Sequence, residues 1–222
     1  TAEYLVPAYD LRILQPPATL PLPFGSASAM EPTGRSFNFT SAMAQLCSDI
    51  SQRSPEFNHI RVERIAFNLC QTRRAVSHGL YASLMPLRFE GGATHTTSRG
   101  ITWAAPRLVD PAGHECFYML SFYLPRFQNV SLEEKLSIVF HELWHIHPEF
   151  NGDVRRHTGR CYAHGSSRKK YDSQMNQLAQ DWLARNPPSH VYEFLAHDFA
   201  ELISEHGKVF GSRWKVPKLV RM

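Results

Sequence analysis

Apolar positions recur at two different periods along this chain, and the change of period divides it into elements. Ala42, Leu46, Cys47 and Ile50 follow one another at helical spacing from Phe39, with Thr40 or Ser41 available to cap, and Pro55 sets the far limit of that helix. Between His59 and Cys70, Ile60, Val62, Ile65 and Phe67 suit a strand; Leu80 to Phe89, Ile101 to Trp103 and the aromatic run Glu115 to Leu124 suit three more. Gly91-Gly92 and Pro111-Ala112-Gly113 separate them as turns. Helical spacing then returns in Leu132, Leu136, Val139, Phe140, Leu143 and Trp144, and again in Met175, Leu178, Ala179 and Trp182. A last helix is predicted from Val191 to His206, stopped by Gly207. Helix, then strands, then helices is the order of an α+β domain with segregated layers.

The chain of 222 residues, 43% hydrophobic and 20% charged, has enough apolar surface for one core and is cramped for two full domains. Residues 15–36 are rich in Pro, Gly and Ser, so 1–36 read as an extended arm, 37–207 as the folded domain and 208–222 as a basic tail. No apolar stretch reaches the roughly 18 residues that a membrane-spanning helix needs. Thr1-Ala2-Glu3-Tyr4-Leu5 shows no basic segment leading into an apolar one, and the four cysteines are far apart, so buried thiols and a cytoplasmic location are expected. A net charge of +4 permits weak attraction to nucleic acid without requiring it.

The chemistry concentrates on one helix. Ser131-Leu132-Glu133-Glu134 is a capping box that starts it, and Pro148 disfavours helix at His147, so the helix is predicted from about Leu132 to Ile146. Inside it lies His141-Glu142-Leu143-Trp144-His145, the HExxH pattern. Histidines four apart lie one turn apart on a single face, where both imidazoles can grip one ion. Glu142 stands beside them as a general base and acid. Zn2+ fits this set, because it accepts imidazole nitrogen with three protein ligands and an open fourth position. The bare motif is moderately specific; the capped amphipathic helix around it raises its weight.

Five of the twelve histidines fall between positions 141 and 164. Pro148 and Asn151 replace the Gly and His that a metzincin would carry there, which excludes that family. Glu193, Glu201 and Glu205 are candidate third ligands on a later helix, and His157 and His164 are nearer ones; His147, two residues past His145, cannot share its face. The segment from His141 through Asn151-Gly152-Asp153 to His157, then Gly159-Arg160-Cys161-Tyr162-Ala163-His164-Gly165 and Tyr171-Asp172, resembles a family of microbial and phage metallopeptidases and, more distantly, SprT-like zinc proteases. The likeness spans roughly residues 59–185, its specific part being 141–172. It implies a zincin-like fold with a small, mainly antiparallel sheet, and hydrolysis of peptide or protein substrates. The His164-Gly165 dipeptide matches the one that supplies the third ligand in SprT-like enzymes, so the resemblance implies His164 as third ligand, with His157 second. A departure from that pattern is Arg168, where an aromatic residue is expected.

Other residues have weaker claims. Arg155, Arg156, Arg160, Arg168, Lys169 and Lys170 form a basic loop that, with the tail, offers weak nucleic-acid contact, though a solvated basic loop needs no such partner. Tyr162 or Tyr171 can donate to an oxyanion, and Asp153 or Asp172 can orient a ligand imidazole. The rival function is a zinc-binding regulatory or DNA-associated SprT-like module that cleaves little by itself.

Overall fold

The computed structural model describes residues 36–72, 79–156 and 168–222; residues 1–35 of the expected arm, His157, Cys161, Tyr162 and His164 lie outside them. In chain order the elements are β1 (Phe37–Asn38), α1 (Phe39–Arg53), β2 (Ile65–Gln71), β3 (Ala82–Pro86), β4 (His95–Ser98), β5 (Ile101–Ala104), β6 (Leu108–Val109), β7 (Glu115–Cys116), β8 (Tyr118–Leu124), α2 (Leu132–Trp144), α3 (Arg168–Ala184), α4 (Phe199–His206), β9 (Val209–Phe210) and β10 (Val220–Arg221). The class is α+β. No helix among the described residues is long and apolar enough to cross a membrane.

The central sheet has the order β2-β8-β3, with β8 parallel to β2 and antiparallel to β3. The remaining sheets are small: β4-β5-β10 and β6-β7 are antiparallel, and β1 pairs parallel with β9. The aromatic run of β8 is apolar at nearly every position because both of its faces are covered. Tyr118, Leu120, Phe122 and Leu124 join Ile65, Phe67 and Leu69 in the main core with α1 and α2, while Met119 packs on the opposite face with Ala66, Trp214 and Val216. Burial on both faces removes the polar alternation of a half-exposed strand.

Segment 208–222, read from sequence as a basic tail, supplies that second cover. Leu69 N donates to Ser212 O (2.8 Å), Trp214 N donates to Asn68 Oδ1 (2.9 Å), and Asn68 Nδ2 donates to Ser121 Oγ (3.1 Å). The basic side chains are spaced along a backbone that is stitched to the sheet.

Other departures from expectation have local causes. Asn38 caps α1 in place of Thr40 or Ser41, accepting from Ser41 N at 3.1 Å. Residues Val62–Arg64 form a 3-10 turn, so β2 begins only at Ile65. The single helix expected from Val191 to His206 is broken into 3-10 turns at Ser189–Val191 and Glu193–Leu195, and Asp198 then opens α4 with its own capping box to Glu201. Cys47 and Cys116 are buried and Cys70 half-buried, all free thiols pushed up in pKa by burial, as expected of packing cysteines.

Lys135, only 1% exposed, explains why 194–197 leave the helical path. Its Nζ donates to Leu195 O and His197 O, both at 2.8 Å, and Gln128 Nε2 donates to Phe194 O and His197 O, also at 2.8 Å. Burial pulls the Lys135 pKa down to about 8, against the pull of Asp198 and Glu201. In the unfolded chain the lysine keeps its ordinary value near 10.4. Between these two values the unfolded state binds the extra proton, so stability rises with pH there; below about pH 8 the desolvation cost is carried in full. Relative to Lys135→Met, the native chain gains on the order of 3 kcal/mol from pH 8 to 10.4. Urea unfolding of the two proteins across that range measures it, and parallel pH profiles would refute it.

Candidate active site

Ser131 accepts from Glu134 N, and the Glu134 carboxylate returns to Ser131 N, so the expected capping box starts α2. The helix ends two residues earlier than predicted. His145 N reaches Glu142 O (3.2 Å) and Ile146 N reaches Leu143 O (3.1 Å), a tightened last turn that releases Ile146 to bridge Val154. His145 therefore sits at the C-cap, and Arg155 N donates to its carbonyl at 2.7 Å.

His141 and His145 share a face as expected, with ring centroids 4.8 Å apart. Tyr171, near the start of α3, covers both: its ring meets His141 edge-on at 5.0 Å and stacks on His145 at 6.2 Å. Sequence alone offered Tyr171 only as a candidate oxyanion donor. Its aromatic packing against the two imidazoles is the part that the structure adds.

Glu142, about 60° round the helix from His145, reaches toward β3. Its carboxylate accepts from Leu84 N at 2.7 Å and is 8% exposed. Burial pushes its pKa up to about 7, although the Leu84 amide favours the charged form. A carboxyl group poised near neutrality can both accept and return a proton at physiological pH. β3 is the outer strand of its sheet, so the Leu84 amide is an edge donor, free of the ladder to β8 and given instead to Glu142.

The turn after α2 is held by Tyr118. Its hydroxyl donates to Asp153 O (2.8 Å) and accepts from Gly152 N (3.1 Å) and His147 N (3.4 Å). Gly152 has φ +87°, and a Cβ there would lie 2.5 Å from the Arg88 side chain, so both conformation and space require glycine. Phe150 fills the turn against Tyr118, with centroids 5.1 Å apart. Phe150-Asn151-Gly152-Asp153 thus reverses the chain after α2.

The remaining candidates separate clearly. Asp153 accepts from Gly91 N (3.0 Å), Val154 N (2.8 Å) and Arg156 Nη2 (2.9 Å), and among the described residues it holds no imidazole. Asp172 is exposed on α3. His147 Nδ1 accepts from Glu149 N (3.2 Å), off the shared face. Glu201 belongs to the α4 cap, and Glu205 lies 3.6 Å from His197. Among the described residues no third His, Cys, Asp or Glu is gathered with His141 and His145 into a metal-binding group, which leaves Glu193, Glu201 and Glu205 apart from them. Two features escaped sequence reading: the Leu84 amide, which no side chain could announce, and the stacking of Arg155 on Trp144, 4.1 Å from its ring centroid.

No protein-family model, curated protein or solved structure matches the chain significantly, so the case for its function rests on these residues.

Proposed function

We propose that the chain is a zinc-dependent metallopeptidase of zincin-like fold. The observation that carries this reading is the buried Glu142 carboxyl, poised at about 7, one residue from the paired imidazoles of His141 and His145. The donor set fits zinc: two imidazoles lie on one helix face, the Glu142 carboxyl stands beside them and is held by the Leu84 amide, and among the described residues no other carboxylate is gathered with the pair. His141, His145 and His164 would hold the ion. When bound, zinc supplies Lewis acidity, polarising the scissile carbonyl and acidifying water.

The protein's own residues do the rest. Glu142 takes a proton from the attacking water and returns it to the leaving amine as the carbon–nitrogen bond breaks. The Leu84 amide holds the carboxylate in place and Tyr171 limits solvent around the histidines. With the Leu84 amide held by Glu142 and no N–H at Pro86, the outward edge of β3 offers chiefly carbonyl acceptors along which an extended peptide can lie, which favours a peptide over a small amide as substrate. The basic-loop reading for nucleic acid loses one of its charges, since Arg156 is paired with Asp153.

Metal content per chain by elemental analysis is the test, on wild type beside His157→Ala and His164→Ala. The expected result is one zinc per wild-type chain, kept by the His157 variant and weakened at least about tenfold in the His164 variant. The opposite pattern makes His157 the third ligand. No zinc after reconstitution sinks the proposal.

A further inference from the structure

Among the described residues, buried or half-buried arginines have oxygen acceptors, with Arg155 standing apart. Arg88 pairs with Glu115, Arg53 with Asp49, and Arg64 and Arg126 donate to the carbonyls of Glu115 and Leu80. Arg155 differs: its Nε is buried without a hydrogen-bond partner, and among the described residues no carboxylate is paired with its guanidinium. A second donor beside it, the indole N–H of Trp144, is also buried without a partner. A cation with unmet donors is costly to keep partly buried, and stacking on an indole face recovers only part of that cost.

The position of Arg155 gives the cation a use. Its backbone is tied to His145 O, and its guanidinium stacks on Trp144, three residues after His141. The indole on which it stacks and the carbonyl to which its backbone is tied both belong to the turn of α2 that carries the imidazole pair. His59 is held down in pKa by burial and by Arg155, whose positive charge it feels. A planar fork of donors matches a carboxylate in two parallel hydrogen bonds.

We infer that Arg155 is a specificity-determining residue that receives a carboxylate of the substrate beside the His141–His145 pair, either the terminal carboxylate of a peptide or an acidic side chain. The inference rests on the peptidase reading for the word substrate, but its test needs neither zinc nor turnover. In the full chain without metal, the Arg155 Nε–H resonance, assigned by its loss in Arg155→Lys, and the Trp144 indole N–H are followed by NMR. The probes are N-acetyl-Ala-Ala, its C-terminal amide, and N-acetyl-Glu-Ala-amide, at matched ionic strength.

Saturable shifts with the acids, at a Kd on the order of 1–10 mM, and binding of the neutral amide at least about tenfold weaker are expected. A response to the first probe alone assigns a peptide terminus; a response to the glutamyl probe assigns an acidic side chain. Arg155→Lys, which keeps the charge and loses the fork, is expected to raise KM for carboxylate-bearing peptides about tenfold with kcat within about threefold. Equal responses to acid and amide in the wild-type chain overturn the inference, whatever happens to the variant's folding. Carboxylate binding without any peptide cleavage by the zinc-loaded protein keeps the anion site and removes the peptidase reading. Cleavage with the same KM for acid and amide peptides does the reverse.

Discussion

Glu142→Gln is expected to lower peptide turnover by roughly 10²- to 10⁴-fold while the protein stays folded and keeps its zinc. The amide of glutamine occupies the same volume, and its carbonyl oxygen can still accept from Leu84 N, so the geometry around α2 and β3 is preserved. What it cannot do is take a proton. Burial holds the native carboxyl at about 7, well above its ordinary value near 4.5. A raised carboxyl pKa means that ionisation costs more in the folded chain than in the unfolded one: the cost is absent below the unfolded value and complete above the folded one. The metal-free Glu142→Gln protein is therefore expected to be more stable than wild type above pH 7, and equal to it near pH 4. Loss of activity together with a gain in stability is the signature of a functional buried group. Cleavage of a mixed peptide library, read by mass spectrometry, with urea unfolding at both pH values, measures the two effects. Wild-type turnover in the zinc-loaded variant would remove Glu142 from the mechanism.

The parts of this site that were readable from sequence are those whose signal is local. A capping box and a repeated apolar stripe define α2 within one stretch of chain, and HExxH places its two histidines on one face by helical geometry alone. The Leu84 amide was hidden because a backbone donor has no residue signature, and it reaches Glu142 from 58 residues away. Arg155 and Arg156 look alike in a basic run; only the fold distinguishes the arginine paired with Asp153 from the one stacked on Trp144. The same reason underlies the errors in the fold. β4, whose sequence is His-Thr-Thr-Ser, carries no apolar pattern and forms because β5 lies beside it. Parallel pairing of β2 with β8 is a contact between distant segments, and the break in the predicted last helix comes from Lys135 and Gln128 drawing off carbonyls that a helix would have used. Local propensity lost there to a buried side chain from another element.

Trp182→Ala is expected to cost about 3–5 kcal/mol of stability, among the largest effects of a single substitution in this chain. Trp182 is wholly buried, packs against Phe140 of α2 with centroids 6.2 Å apart and against Tyr192 at 5.5 Å, and its Nε1 donates to Asp49 of α1 at 2.9 Å. It therefore joins α3 to two other helices at once. Tyr171, Met175, Ala179 and Trp182 lie along one buried stripe of α3, so the residue that anchors the far end of the helix also holds Tyr171 over His141 and His145. Trp182→Phe keeps most of the ring contact and loses the hydrogen bond; Asp49 retains Arg53 as a partner at 2.8 Å, and the expected cost falls to about 1–2 kcal/mol. Exposed Gln180 on the same helix is the control, where Gln180→Ala is expected to change stability by no more than about 0.5 kcal/mol. Urea unfolding of the three variants separates packing from hydrogen bonding. If α3 is the element that seats Tyr171, Trp182→Ala also weakens zinc retention in the folded protein more than Trp182→Phe does. A loss below about 1 kcal/mol in Trp182→Ala would show that α3 is not held by this residue.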